Sequence, residues 1–148
     1  MGLTEPMPIT APMTTIPLTT SLTDGTWTNV GGLLICPVTA IYEVNYSYNV
    51  GMTLTPTPTN QSHSVTTDML STPGGQVSLS SKNLSGVHFG VTGTTGPVTL
   101  IQSNNFFASL VAGQIYSFRV GGTSTGGALQ LNAYDGTNSS NATIKRVT

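Results

Sequence analysis

Hydrophobic and polar positions alternate without a break from Ala40 to Val50. Ala40, Tyr42, Val44, Tyr46, Tyr48 and Val50 share one side; Ile41, Glu43, Asn45, Ser47 and Asn49 share the other. A period of two with one apolar side is the pattern of a half-buried antiparallel strand. Shorter runs of the same kind predict strands over 63–70, 76–80, 86–92, 97–103, 105–111, 114–120, 127–134 and 141–147, with one or two more across 26–36. Turn residues punctuate them, among them Pro73-Gly74-Gly75, Gly113, Gly121-Gly122, Gly126-Gly127 and Asp135-Gly136. The stretch Gly121 to Gly127 reads as a flexible hairpin loop, since it lacks the Lys-Ser/Thr ending of a phosphate-binding loop. About ten short strands at this spacing predict an all-β fold, an antiparallel β-sandwich of jelly-roll type.

Residues 1–22 follow a different rule. They hold Pro6, Pro8, Pro12 and Pro17, which remove backbone donors and favour extended chain. Leu3, Met7, Ile9 and Met13 nevertheless fall on odd positions, and Ile16 and Leu18 continue on even ones. This predicts an extended Pro/Thr/Met-rich connector arm over 1–22, ahead of a jelly-roll domain over 23–148. The six apolar residues would dock on a neighbouring surface, and about 20 residues at ~3.1 Å each would reach roughly 60 Å.

Composition narrows the function. Only 6% of the residues are charged, whereas Thr and Ser number 26 and 15 of 148. Coiled coils and long amphipathic helices need the charged residues that are scarce here. Phosphate neutralisation needs clustered cations, and Lys82, Arg119, Lys145 and Arg146 are the whole supply, so no nucleic-acid partner is expected. The longest purely apolar run, Leu33 to Cys36, is far too short for membrane insertion. No secretory signal pattern is visible at the start. Cys36, the one cysteine, reads as a small buried apolar residue, with an intersubunit disulfide as the alternative.

Catalytic chemistry is poorly supplied. A Ser-His-Asp set could be drawn from His63, Asp68 and a nearby serine, but a chain this rich in serine offers such sets by chance. His63, His88 and Cys36 lack metal-ligand spacing. The expectation is therefore no enzyme, no metal and no cofactor. Trp27 and Tyr134 are the candidate ligand contacts should the domain bind glycans.

Two segments resemble C1q/TNF-like domains. Leu33 to Tyr48 is similar to a short strand ending in Cys, a turn, then Gly-x-Tyr opening an alternating strand, with Ala40-Ile41-Tyr42 in place of Gly-x-Tyr. Ser109 to Phe118 is similar to the Leu-x-x-Gly-Asp/Glu-x-Val hairpin, with Gly113 at its turn. The ending, Asn141 to Val147, is closest in flavour to the C-terminal domains of bacterial spore-surface collagen-like proteins. Residues 1–22 hold no Gly-X-Y repeat, and acidic calcium loops have no counterpart.

The resemblance implies a homotrimer, with Tyr42, Tyr46, Tyr48, Tyr116 and Phe118 as trimer core or axis residues. Together with the low charge and the arm, it leads us to expect a structural, self-assembling subunit. Trimers would stack head-to-tail through the arm into a surface fibre, an endospore appendage or exosporium filament. A virion fibre or decoration protein is the alternative, and a carbohydrate- or receptor-binding head a further one. The expected partners are other copies of the chain, with other fibre or coat proteins and surface glycans beyond them.

Overall fold

The computed structural model describes residues 1–19, 26–72, 77–90, 92, 97–133 and 140–148. Eleven strands lie among them: β1 (Met7–Ile9), β2 (Thr14–Thr15), β3 (Thr28–Val30), β4 (Leu33–Ile35), β5 (Ala40–Thr53), β6 (Asn60–Thr72), β7 (Val77–Phe89), β8 (Pro97–Leu110), β9 (Ile115–Ser124), β10 (Leu129–Leu131) and β11 (Asn141–Arg146). They form two antiparallel sheets packed as a jelly-roll-like sandwich. In the first sheet β5 is central. One edge of it pairs with β8 along the full length of both strands. Its other edge pairs with β11 and then β10, and β1 adds outside β10. The second sheet runs β3-β4-β9-β6-β7, with β2 beside β4 on the same edge of β9.

The alternation predicted for residues 40–50 is the alternation observed. Tyr42, Val44, Tyr46, Tyr48 and Val50 are buried, and they meet Val65, Met69, Tyr116, Phe118 and Val120 of the second sheet in one core. Two predicted breaks are absent. Residues 76–80 and 86–92 were expected as separate strands, yet β7 runs unbroken through Ser81-Lys82-Asn83. Likewise β8 passes straight through Asn104-Asn105. In both places tertiary pairing overrides weak strand propensity. Asn104 is an inward residue whose amide donates to Ser80 Oγ on β7, at 2.7 Å, so its polarity is satisfied inside the sandwich.

Glycine sets the tight places. Gly31 and Gly32 both adopt positive φ, 60° and 87°, the requirement of the two-residue type I′ turn that joins β3 to β4.

Candidate assembly surface

The amino-terminal arm is not free. Leu3, Ile9, Ile16 and Leu18 are buried in the core of their own chain, and Met7 and Met13 are half-buried. Two short ladders hold it. Met7, Pro8 and Ile9 pair with Leu131, Gln130 and Leu129 of the first sheet, and Thr14 and Thr15 pair with Val120 and Arg119 of the second. The arm thus crosses from an edge of the first sheet to β9 of the second, with Thr10 accepting a bond from the Gly122 amide on the way. This corrects the expectation of an arm that leaves its own domain. Each buried Leu or Ile contributes roughly 1.5–3 kcal/mol, so the arm is far more stable where it lies than extended in water.

Gly121 and Gly122 make that docking fit, and the sequence reading placed them in a loop. They belong to β9. A Cβ on Gly121 would sit 2.9 Å from Met13 Sδ, and one on Gly122 would sit 3.1 Å from Ile9 Cγ2 and 2.7 Å from Ser64 O. The strand carries glycine here because the arm passes within a side chain's width of it. Gly32 serves the same end, since a Cβ there would fall 2.3 Å from Ile16 O.

The aromatic residues expected at a trimer core or axis lie inside the single chain. Tyr42, Tyr46, Tyr48, Tyr116 and Phe118 are all fully buried between the two sheets. Tyr46 stacks on Tyr48 with ring centroids 4.7 Å apart, and meets Phe118 edge-on at 5.9 Å. They form the core of the chain's own sandwich. Trp27 is also buried, edge-on against Tyr42 at 5.4 Å, and its ring face is not open to a sugar. Tyr134 lies outside the described residues. Cys36 is a free, buried thiol whose Sγ lies 3.2 Å from the Val38 carbonyl oxygen.

Exposed apolar side chains occur on both sheets, among them Val30 and Leu33 at the β3–β4 turn and Val87 and Phe89 on β7, and one set lies on the outer face of the first sheet. Ile41 on β5, Ile101 and Phe107 on β8, and Val147 just beyond β11 point outward, with exposures of 45%, 67%, 64% and 51%. In register, Phe107 lies opposite Glu43 and Ile41 opposite Ser109, and the Val147 amide donates to the Ile41 carbonyl. Val147, Ile41 and Phe107 therefore form one apolar diagonal. The outward positions of β5, β8 and β11 carry two charges, Glu43 and Lys145, and these sit directly opposite each other. Asn105 donates to Glu43 Oε1 at 3.0 Å, and a depression of about 300 Å3 opens between Glu43, Asn45, Thr143 and Lys145. Such a face needs little desolvation of charge on contact with another copy.

His63 and Asp68, drawn together in the sequence, point to opposite sides of β6. His63 faces the interior, whereas Asp68 faces outward and accepts a two-pronged bond from Arg119 on β9, with Nε to Oδ1 at 2.9 Å and Nη2 to Oδ2 at 2.5 Å. The pair raises the Arg119 guanidinium above its ordinary value, mainly through this hydrogen bond. Among the described residues no three His, Cys, Asp or Glu side chains converge as metal ligands, and no helix is long and apolar enough to cross a membrane. No protein-family model matches the chain, and no curated protein sequence matches it.

Proposed function

We propose that the protein is a structural subunit that self-associates, as a homotrimer, through the outer face of the β5-β8-β11 sheet. The observation that carries the reading is that face: Ile41, Ile101, Phe107 and Val147 stand in water beside one matched pair of charges. Exposed aromatic and branched side chains grouped on one sheet face mark an interaction surface, and Glu43 with Lys145 can pair across copies. The resemblance of residues 33–48, 109–118 and 141–147 to C1q/TNF-like domains supports a threefold arrangement. Phe107 and Ile41 replace the buried tyrosines as the residues nearest its axis.

The setting we favour is a surface fibre of an endospore, supported by the likeness of the closing strand to spore-surface proteins. A virion fibre or decoration subunit follows. Because the arm closes its own sandwich, assembly rests on the sheet face.

Native mass spectrometry at micromolar concentration tests this. The wild-type chain should be a trimer. Phe107→Asp combined with Ile101→Asp should give a monomer with unchanged circular dichroism. A monomeric wild type, or a trimer that tolerates both aspartates, overturns the proposal.

A further inference from the structure

His63 and His88 lie against each other inside the second sheet. Their rings stack with centroids 5.1 Å apart and planes 19° from parallel. His63 is only 4% exposed and His88 half-buried. Neither ring nitrogen of His63 finds a hydrogen-bond partner among the described residues, and neither does Nε2 of His88. The fit is close as well. His63 lies opposite Gly86 in the β6–β7 ladder, and a Cβ on Gly86 would fall 2.9 Å from the His63 ring.

Few charges face the pair. On β6, Asp68 is on the outer side and bonded to Arg119 of β9. On β7, Lys82 shares the inner side but is exposed and four residues from Gly86, about 13 Å along a strand. On the opposing sheet β5 turns phenols inward (Tyr42, Tyr46 and Tyr48) and Glu43 outward, and β8 carries no ionisable side chain. Among the described residues, a proton arriving on this pair thus has no carboxylate beside it, and a second would meet the first across the stack.

We propose that the His63–His88 stack is an acid-sensitive latch, whose protonation releases the edge strand β7 from β6 and opens that side of the sandwich. The strand is suited to this. Among the described residues β7 pairs with one neighbouring strand, and side chains tie it to β8, Gln102 Nε2 to the Lys82 carbonyl and Asn104 Nδ2 to Ser80 Oγ. With the rings uncharged the stack packs. Burial, then the neighbouring His88, lowers the His63 value below that of a free histidine. The sign follows. The opened strand binds protons more tightly than the closed one, so the latch holds above about pH 6.5 and weakens as pH falls below it. This inference is independent of the trimer proposal, since the stack is inside the protomer.

Hydrogen–deuterium exchange of the full chain between pH 7.5 and 5, corrected for the intrinsic rate, reads the latch. Below about pH 6.5, opening of β7 amides relative to those of β5 should rise by up to about tenfold per pH unit as His63 takes up its proton. In His88→Gln the rise should be shallower, because His63 loses a neighbour that helps to lower its value. If that variant is poorly folded, the imidazole proton resonances of the wild type give the same answer, with His63 titrating below a free histidine. A flat profile in the wild type, an unchanged slope in the variant, or a His63 titration at the ordinary value overturns the proposal.

Discussion

Tyr46 Oη and Thr67 Oγ1 lie 2.9 Å apart, and that hydrogen bond spans the sandwich from one sheet to the other. Gln102 donates to the same threonine oxygen at 2.8 Å, and Asn104 donates to Tyr46 at 3.4 Å. Polar side chains therefore meet in the interior beside stacked aromatic rings. Replacing Tyr46 by Phe leaves the ring stack and removes the hub. We expect a loss of about 1–2 kcal/mol, because Thr67 and Asn104 both lose a partner. Thermal denaturation should show a midpoint lower by about 2–8 °C; an unchanged midpoint would show the network to be idle.

Alkaline pH should act on the same tyrosines. Burial raises Tyr46, and Tyr48 strongly, above the ordinary phenol value. A raised acid in the folded state means that the unfolded chain gives up these protons more readily. Stability is thus complete below about pH 10 and falls as pH rises through and beyond it. The phenolate absorbance of these two residues should appear together with the loss of near-ultraviolet dichroism. Ionisation of both ahead of unfolding would contradict their burial.

The arm should behave as part of the core. Deleting residues 1–18 removes Leu3, Ile9, Ile16 and Leu18, on the order of 6–12 kcal/mol of burial, comparable to the whole stability of a domain. The truncated chain should not accumulate as a folded protein. Gly121→Val is the milder test. It should lower the melting midpoint and speed amide exchange at Ile9 and Ile16. Wild-type stability of either variant would argue for an arm that docks elsewhere.

Arg119→Lys should show what the two-pronged bond to Asp68 is worth. Lysine keeps the charge and loses the planar fork. With both side chains mostly buried, we expect about 1–3 kcal/mol in chemical denaturation. A change below a few tenths would place this pair with ordinary surface ion pairs.

Much of the sandwich is legible in the sequence, and the reasons for the rest are physical. The period of two in residues 40–50 is read without ambiguity because β5 has one side in the core and one in water through most of its length. The arm's alternation is legible too, but periodicity names a buried edge without naming its partner. The partner is recorded at Gly121-Gly122, where the missing side chains look like turn chemistry. Tyr46, Tyr48, Tyr116 and Phe118, expected at a trimer core or axis, all fit inside one sandwich. The core holds them by stacking rings and by giving Tyr46 and Tyr116 hydroxyl partners. The histidine stack joins residues 25 apart through strand register, which no local pattern carries.

The pairing of β1 with β10 sets the order of events at the ribosome. Met7 is made early, yet its ladder partner Leu131 follows more than a hundred residues later. β5 likewise waits for β8, β10 and β11 before both of its edges are covered. The first sheet therefore cannot close while the chain is still being synthesised through its middle, and the apolar edge of the arm spends that interval unpaired. Folding of this kind is slow because contacts distant in sequence must form before they stabilise one another. Nascent chains crowded together are then exposed to exchanging arms before each has closed its own sandwich.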